Sequence, residues 1–297
     1  MKTLLALLIA LGTAMTSLAQ ENPLAGVIDI HVHCAPDSTA RSIDAIDLAR
    51  LAKSRGMRGL VLKNHYEPTA SLAYVVRKEV PGIEVFGGVD LNLSVGGMNP
   101  SAVEHMAATT GGYGRFVWMS TFDSEAQVRY SKQDRPFVRV SQNGQLLPET
   151  KQVIAVIAKH NLVLATGHPT AEEALMMLRE GRNQGVKHMV VTHAMIAPIH
   201  MSDTQMLEAA KMGAYIEFVY NGLIGSAKEF TFKDYARAIR YVGVEHCILA
   251  SDMGQPANPL HPDGLLALFD GLKKEGITEA EINRMAKENP ARLLGLE

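Results

Sequence analysis

The sequence has almost no net charge and no basic cluster. Its 29 lysine and arginine residues nearly balance 31 aspartate and glutamate residues, so the formal charge at pH 7 is −2. A protein that binds nucleic acid usually presents a basic patch or stripe to the phosphates. The composition therefore argues against nucleic acid as the main partner.

Linkers and repeats are also missing. Beyond the N-terminal segment, no low-complexity stretch, internal repeat or charge run divides the chain. With 47% hydrophobic residues, there is enough apolar side chain to bury one large core. We therefore expect residues 20–297 to form a single domain.

Long apolar runs are absent except at the N-terminus. There Lys2 precedes the apolar run 4–11, and the small residues Ser17 and Ala19 stand where a signal peptidase cuts. The run is too short to span a bilayer permanently, and no cysteine follows it to carry a lipid anchor. We expect residues 1–19 to be a signal peptide and the mature protein to be periplasmic or secreted, without a membrane anchor. The alternative is a buried amphipathic first helix.

The rest of the chain alternates short apolar runs with longer segments of helical period. Eight such units predict a (β/α)₈ barrel, because parallel strands need crossover helices. The alternative is an open doubly wound sheet, but no glycine-rich phosphate fingerprint follows the first strand. The predicted strands are 27–33, 59–63, 83–89, 116–119, 162–166, 188–192, 214–219 and 247–251. The predicted helices are 43–55, 68–78, 100–108, 148–160, 171–184, 203–212, 232–241, 264–274 and 279–294.

The first predicted strand ends in the pair His31 and His33. Side chains alternate between the two faces of a strand, so we expect these histidines to share one face and Ile28, Ile30 and Val32 to take the other. Two imidazoles converging from one strand suit a divalent metal such as zinc. The alternative is a pair of histidines that pack or titrate without a metal.

Three other predicted strands end in side chains of the same kind. His168 follows the fifth strand, His193 the sixth and Asp252 the eighth. Alone, each has an ordinary explanation, such as a surface hydrogen bond or a helix cap. Because the active site of a barrel lies at the carboxyl ends of its strands, all of them would meet at one place. Together they predict a metal site.

This ordered set of residues resembles the amidohydrolase superfamily of metal-dependent (β/α)₈ enzymes, and the chain is closest to an uncharacterised amidohydrolase-like group. The resemblance extends from about Val27 onward, and the C-terminal segment 288–295 is also similar to the ends of many members.

The resemblance implies roles for the five residues. His31 and His33 would bind a first metal, and Asp252 would bind it and shuttle a proton. His168 and His193 would bind a second metal, or one would bind the single metal while the other contacts the substrate. If Asp252 is not the shuttle, His193 is the candidate general base.

The resemblance also implies the chemistry. We expect a hydrolase in which a metal-activated water attacks an amide, lactone or ester carbonyl of a small molecule. One alternative is a metal-dependent decarboxylase of a small aromatic or unsaturated acid, which an arginine over the metal would favour. The other is a non-catalytic barrel that binds metal or ligand.

Members with two metals usually carry a bridging lysine or glutamate on the fourth strand. Here that strand and its two flanking residues, 115–120, have neither residue. We therefore expect one metal per chain, most simply zinc. An unusual bridge from Lys63 or Glu217 would give two.

Five further residues are candidates for substrate binding: Lys63, His65, Glu217, His200 and His261. Lys63 would orient an anionic substrate, and Glu217 is alternatively a hydrogen-bond partner of a metal ligand. A sixth residue, Asp29, is expected to face inward and support a ligand.

The two cysteines of the chain are not expected to form a disulfide. Cys34 and Cys247 lie at opposite ends of neighbouring strands, too far apart for a disulfide, so both are predicted to be free thiols.

The connection 121–147 contains Asn143 and Gly144 between extended segments, which predicts a hairpin. This insertion would cover the active site and supply an arginine (Arg129, Arg135 or Arg139) to a substrate anion, or it would contact another copy of the chain in a homo-oligomer.

Overall fold

The structure is a computed structural model that describes residues 22–296. The predicted signal peptide lies outside the described residues. Within them, no helix is both long and apolar enough to cross a membrane.

Eight parallel strands form one sheet in chain order, each hydrogen-bonded to the next. We label them β1 to β8, and they span Ile28–Val32, Gly59–Leu62, Glu84–Asp90, Gly114–Trp118, Val163–Ala165, His188–Val191, Ala214–Val219 and Cys247–Ala250. The two edges of the sheet meet at its carboxyl end, where His33 N–H donates to the Met253 carbonyl at 3.0 Å and Asp252 N–H donates to the His31 carbonyl at 3.0 Å. The sheet is therefore a nearly closed barrel, as the sequence predicts.

Most helices of the described residues cover the outside of the barrel. We label them α1 to α11 in chain order, and they span Ala45–Ser54, Ala70–Glu79, Pro100–Ala107, Glu125–Tyr130, Pro148–Lys159, Ala171–Asn183, Asp203–Lys211, Phe232–Val242, His261–Lys274, Glu279–Asn283 and Asn289–Leu294. A π-helical segment, Arg284–Glu288, joins α10 to α11. Four of these helices begin with capping boxes, at Thr170, Ser202, Thr231 and Thr278.

Two groups of buried side chains stabilise this architecture. One lies between the strands and the surrounding helices and includes Leu48, Val117 and Leu268. The other fills the barrel interior and includes the stacked rings of Phe116 and Trp118. A barrel of this kind is a packed core rather than a pore, so only its carboxyl end is open for chemistry.

The first strand departs from the predicted alternation. Ile28 and Ile30 belong to the interior group, whereas Val32 packs outside against the helices. The register of β1 against β2 shifts between Asp29 and Val32, and such an irregularity turns the following side chains to the other face. The expectation that Ile28 and Ile30 face away from the interior is therefore wrong, and the irregularity is what directs the histidines inward.

The insertion after β4 contains the predicted hairpin. Ser141–Gln142 pairs with Gln145–Leu146, and the intervening Asn143 and Gly144 have φ values of 50° and 73°. Positive φ at both central residues is typical of a type I′ turn. The insertion also contains the six-residue α4, which was not predicted because Val128 is its one buried residue and there is no apolar period to detect.

Both cysteines of the described chain are free and buried, as predicted. Burial raises the pKa of the Cys34 thiol to about 12, and burial also raises the pKa of the Cys247 thiol. Neither side chain is therefore a reactive thiolate near neutral pH.

Candidate metal centre

Five histidines form a closed ring at the carboxyl end of the barrel. In order around the ring they are His31, His33, His65, His168 and His193. The centroids of successive imidazoles are between 4.7 and 5.9 Å apart. The strand ends that the sequence singled out therefore meet in space, and His65 after β2 joins them.

A carboxylate faces the first two members of the ring. Oδ1 of Asp252 lies 3.2 Å from Nε2 of His31 and 3.0 Å from Nε2 of His33. These residues form a group of potential metal ligands whose donor atoms all lie within 4.8 Å of one another, and all are buried. The other carboxylate oxygen, Oδ2, accepts a hydrogen bond from Asn221 at 3.2 Å, so both oxygens are oriented.

The hydrogen bonds of His31 indicate whether a cation fits between His31, His33 and Asp252. Its Nδ1–H donates to Glu217, whose two carboxylate oxygens both lie 3.2 Å from Nδ1. Nε2 of His31 is therefore in one of two states: it carries a second proton, or it presents a lone pair to Asp252 Oδ1. In the second state, a cation between Nε2 and Oδ1 removes the repulsion of the two lone pairs. A divalent metal fits, and an imidazole fixed from behind by a carboxylate is the usual arrangement of a metal-binding histidine.

The electrostatics of His33 and Asp252 favour the metal-binding state, whereas at His31 the carboxylates of Asp252 and Glu217 act against burial and raise the pKa of the imidazole. Burial lowers the pKa of His33 well below its usual value, so this imidazole is neutral. Burial opposes the ionisation of Asp252, but the nearby imidazoles of His31 and His33 hold its pKa well below the usual value. Neutral imidazole and ionised carboxylate are the forms that bind a metal.

The other two predicted ligands form a pair of their own. Nε2 of His193 lies 3.1 Å from Nε2 of His168. Nδ1 of His168 lies 3.0 Å from Oε1 of Gln127, an amide oxygen that accepts its N–H, so Nε2 of His168 presents a lone pair. Burial lowers the pKa of His193 to about 4, so this imidazole is also neutral.

Strained backbone supports two of the predicted ligands. His193 has φ of 25° and Asp252 has φ of 52°, in a region that residues other than glycine seldom adopt. Beyond Asp252, Gly254 has φ of 123°, and a Cβ there would lie 2.2 Å from the His33 carbonyl oxygen. Strain of this kind is retained where the surrounding structure fixes a functional position.

Lys63 and His65 lie at the end of β2 and both line the cavity, as predicted for substrate contacts. The Lys63 side chain is fully buried, and its Nζ lies 3.5 Å from Oδ2 of Asp90 without a hydrogen bond among the described residues. Burial raises the pKa of Asp90 to about 6.

A hydrogen-bond chain determines the tautomer of His65. Thr121 Oγ1–H donates to Asp90 Oδ2 at 3.0 Å, and Thr121 Oγ1 accepts a hydrogen bond from Asn92 at 2.7 Å. Nδ1 of His65, 3.1 Å from Thr121 Oγ1, must then donate, because the single hydroxyl proton is already used. Nε2 of His65 is therefore left as an acceptor or ligand facing the cavity.

The ring forms the floor of a cavity of about 310 Å³. Two sets of residues that line the cavity wall were not predicted from the sequence. One is apolar and includes Phe122 and Ile196, and the other is polar and includes Arg41 and Gln255. These residues come from loops, which carry no periodic pattern. Phe122 belongs to the insertion 121–147, which was predicted to cover the active site, whereas the sequence offers no signal for the other three.

Three predicted substrate residues lie outside the cavity. Glu217 lies behind His31 as its hydrogen-bond partner, and it also accepts the backbone N–H of His193 at 2.8 Å. His200 is paired with Glu229 at 2.6 Å on the surface. His261 is fully buried at the start of α9, with Nε2 3.0 Å from the His33 carbonyl oxygen. His200 and His261 are therefore corrections: one contacts a surface carboxylate, and the other packs beneath the site.

Two further predictions concern Asp29 and the arginines of the insertion 121–147. Asp29 accepts backbone N–H groups from His31 at 3.2 Å and from Ser251 at 3.0 Å, so it joins β1 to β8 and supports the candidate ligand His31, as predicted. The insertion's arginines are all paired with acidic side chains: Arg129 and Arg139 with Glu125, and Arg135 with Asp123.

A family model matches residues 26–217, nearly two thirds of the sequence. The chain belongs to the family of unknown function DUF6282. The matched region contains His31, His33, His168 and His193 but ends before Asp252. A search of curated proteins finds no matching sequence.

Solved structures share the fold. An amidohydrolase from Pseudomonas aeruginosa aligns with a TM-score of 0.60 and 14% identity, over 92% of this chain and 96% of its own. An organophosphorus hydrolase from Deinococcus radiodurans aligns with a TM-score of 0.59 and 16% identity, over 92% and 94%. A 2,6-dihydroxybenzoate decarboxylase from Rhizobium aligns with a TM-score of 0.57 and 12% identity, over 92% and 99%. The resemblance to amidohydrolase-type barrels therefore holds for the fold.

Proposed function

We propose that this protein is a metal-dependent hydrolase of small molecules that attacks an amide, lactone or ester carbonyl with water. The observation that carries the proposal is the convergence of His31 Nε2 and His33 Nε2 on one oxygen of Asp252 at the open end of the barrel. The fold is shared with an amidohydrolase and with an organophosphorus hydrolase, which supports the same class of reaction.

The metal would be held by His31, His33 and Asp252, with His193 or His168 completing its ligands. When bound, it would polarise the substrate's carbonyl oxygen and lower the pKa of water at the site. Asp252 is ionised, so its carboxylate would accept a proton from the attacking water and return it to the leaving group. Glu217 would keep His31 in the tautomer that binds metal through Nε2.

We propose one metal per chain, most simply zinc. The imidazole-rich donor set suits zinc, and the segment 115–120 at the end of β4 has no lysine or glutamate to bridge a second ion. Elemental analysis of protein purified without chelator is expected to find close to one zinc-like metal per chain. Two ions per chain would instead favour a bridge from Lys63 or Glu217.

The size of the cavity supports a small substrate. About 310 Å³ is at the lower end of the range for small-molecule sites. The wall formed by Phe122 and Ile196 offers apolar contact, while Asn221 and Gln255 offer amide groups. A macromolecular substrate would have to present a single small group to this space.

Decarboxylation of a small acid is the second candidate. Arg41 lines the cavity, and an arginine over the metal is what that reaction would use to hold a carboxylate. The shared fold with a 2,6-dihydroxybenzoate decarboxylase supports it as well.

A substrate screen tests both candidates. Zinc- and manganese-loaded protein is incubated with amides, lactones, esters and aromatic acids, and hydrolysis and bicarbonate release are followed separately. Hydrolysis of a carbonyl compound that disappears in Asp252→Asn is expected. Bicarbonate release without hydrolysis would support the decarboxylase, and no turnover of any class by metal-loaded protein would support the non-catalytic alternative.

We also propose that the protein is exported. The support is the sequence alone: Lys2, the apolar run 4–11 and the small residues Ser17 and Ala19. Expression of the full chain in a bacterial host, followed by cell fractionation and N-terminal sequencing, is expected to find a periplasmic protein that starts at Gln20. An intact N-terminus in the cytosol would contradict the proposal.

A further inference from the structure

Arg41 lines the cavity from the loop between β1 and α1. Its side chain is only 4% exposed. Its Nε donates to Oδ2 of Asp37 at 2.6 Å, and the Asp37 side chain is itself fully buried. The guanidinium is therefore held along one edge, and its two terminal amino groups are left for another partner.

One of those amino groups is buried and unsatisfied. Nη2 of Arg41 has no hydrogen-bond partner within residues 22–296. Buried donors are almost always hydrogen-bonded in folded proteins, and a charged donor without a partner is costly. A guanidinium in this state at a cavity wall marks a place where an anion would bind.

The loop that carries Arg41 is fixed at both ends. Ser42 N–H donates to the Gly254 carbonyl at 2.9 Å, which ties the loop to the segment after β8. Ala35 N–H donates to the Ile43 carbonyl at 2.9 Å, which closes the loop on itself. The arginine is therefore held in position before any ligand arrives, and preorganisation of this kind increases affinity.

Arg41 shares its cavity with the candidate metal centre. His33 and Asp252 line the same cavity of about 310 Å³ as Arg41. An anion held by Arg41 would therefore lie within electrostatic reach of the candidate metal ligands.

The charges of the cavity wall indicate which class of anion Arg41 would bind. Arg41 is paired with Asp37, and Lys63 lies 3.5 Å from Asp90, so each cation of the cavity wall already has a carboxylate partner. Little positive charge remains to offset a doubly charged phosphate group. The planar guanidinium edge matches a singly charged carboxylate, which it binds with two parallel hydrogen bonds.

We propose that Arg41 binds the carboxylate of a small organic acid, and that such an acid is the substrate class of this site. The proposal rests on the proposed function for its reaction and names the substrate. The acid group would lie at Arg41, the apolar body would pack against Phe122 and Ile196, and the reacting bond would face His33 and Asp252.

Binding measurements test this without requiring turnover. Acetate, benzoate and phenylacetate are titrated calorimetrically into the purified protein, whose metal content is measured, and each is compared with its neutral amide. Carboxylates are expected to bind more tightly than amides, because the amide cannot complete a charged pair with Arg41. If no carboxylate binds more tightly than its amide, the proposal is overturned.

Two variants locate the preference on Arg41. Arg41→Lys keeps a charge for Asp37 but loses the planar edge, and the double variant Asp37→Asn/Arg41→Gln removes both charges, so neither leaves Asp37 as an unpaired buried charge. Carboxylate affinity is expected to fall about tenfold to a hundredfold, with amide affinity unchanged. Carboxylate affinity equal to that of the unmodified protein in both variants would show that the metal or Lys63 holds the acid, and would overturn the proposal.

The matched control is Arg179→Gln. Arg179 lies on α6, is paired with Glu208 on the surface and does not line the cavity. It is expected to leave the carboxylate preference unchanged, and a loss there would contradict a specific role for Arg41. If the preference depends on Arg41 but the substrate screen finds no turnover, the hydrolase proposal fails while the ligand class stands.

Discussion

The site consists of two halves that differ in chemistry. In the first, His31 and His33 share an oxygen of Asp252, and a second carboxylate, Glu217, orients His31 from behind. In the second, His168 and His193 face each other without a carboxylate between them, and an amide from Gln127 takes the place of Glu217.

The difference indicates where a cation would be held. A carboxylate supplies the negative charge that offsets a divalent ion, and a carboxylate behind the imidazole makes it a stronger ligand. The first half has both features, whereas the second relies on neutral groups. We therefore infer that the first half binds metal by itself and that the second half completes its ligands or contacts substrate.

The largest expected effect separates the two halves directly. His33→Ala is expected to reduce metal content from near one per chain to near zero, because it removes a ligand beside Asp252. His168→Ala is expected to retain near one metal per chain. Both contents are measured by elemental analysis after dialysis, with circular dichroism as the control for folding. Loss of metal in His168→Ala alone would reverse the assignment of the two halves.

Asp252→Asn is expected to have the next largest effect, a loss of turnover. It preserves the size of the side chain but removes its basicity, while the histidines remain to hold the metal. On any substrate that the screen identifies, turnover is expected to fall about 10²- to 10⁴-fold, the usual contribution of a positioned acid or base. Metal content at saturating zinc serves as the control. Unchanged turnover with metal bound would transfer the role of general base to His193.

How much of this site follows from the sequence depends on where each residue lies. Residues at strand ends were predictable, because strand period and barrel topology together place His31, His33, His168, His193 and Asp252 at one end. Even there, the histidines reach the interior through a register irregularity in β1 that alternation alone does not predict.

Residues on loops were not predictable in the same way. Arg41 lies on a loop and Gln127 on the short α4, and hydrogen bonds to Asp37 and His168 hold them at the cavity without any periodic pattern in the sequence. His261 was assigned to a loop although Pro262, a residue favoured in the first turn of a helix, follows it directly and indicates that α9 starts there. The α4 helix has a capping serine, Ser124, but it is too short for its pattern to be recognised.

A smaller effect is expected from replacing the residues that hydrogen-bond to the histidines of the two halves. Glu217→Gln keeps a hydrogen-bond acceptor but removes the charge behind His31, and it is expected to weaken metal affinity about 10- to 100-fold. The matched variant Gln127→Ala removes the partner of His168 and is expected to change metal affinity little. Both affinities are measured by competition with a chromogenic chelator. Equal losses in the two variants would mean that both halves hold metal.

The smallest expected effect concerns His65. Thr121→Val removes the hydroxyl that accepts the Nδ1–H of His65, whereas Thr121→Ser retains it. In the unmodified protein, nitrogen NMR of the imidazole is expected to find the proton on Nδ1, and Thr121→Val is expected to lose that preference while Thr121→Ser keeps it. The effect on kcat/KM is expected to be about tenfold or less, the worth of one neutral hydrogen bond. A proton on Nε2 in the unmodified protein would mean that His65 donates a hydrogen bond into the cavity, and it would contradict the tautomer inferred from the Thr121 hydrogen bonds.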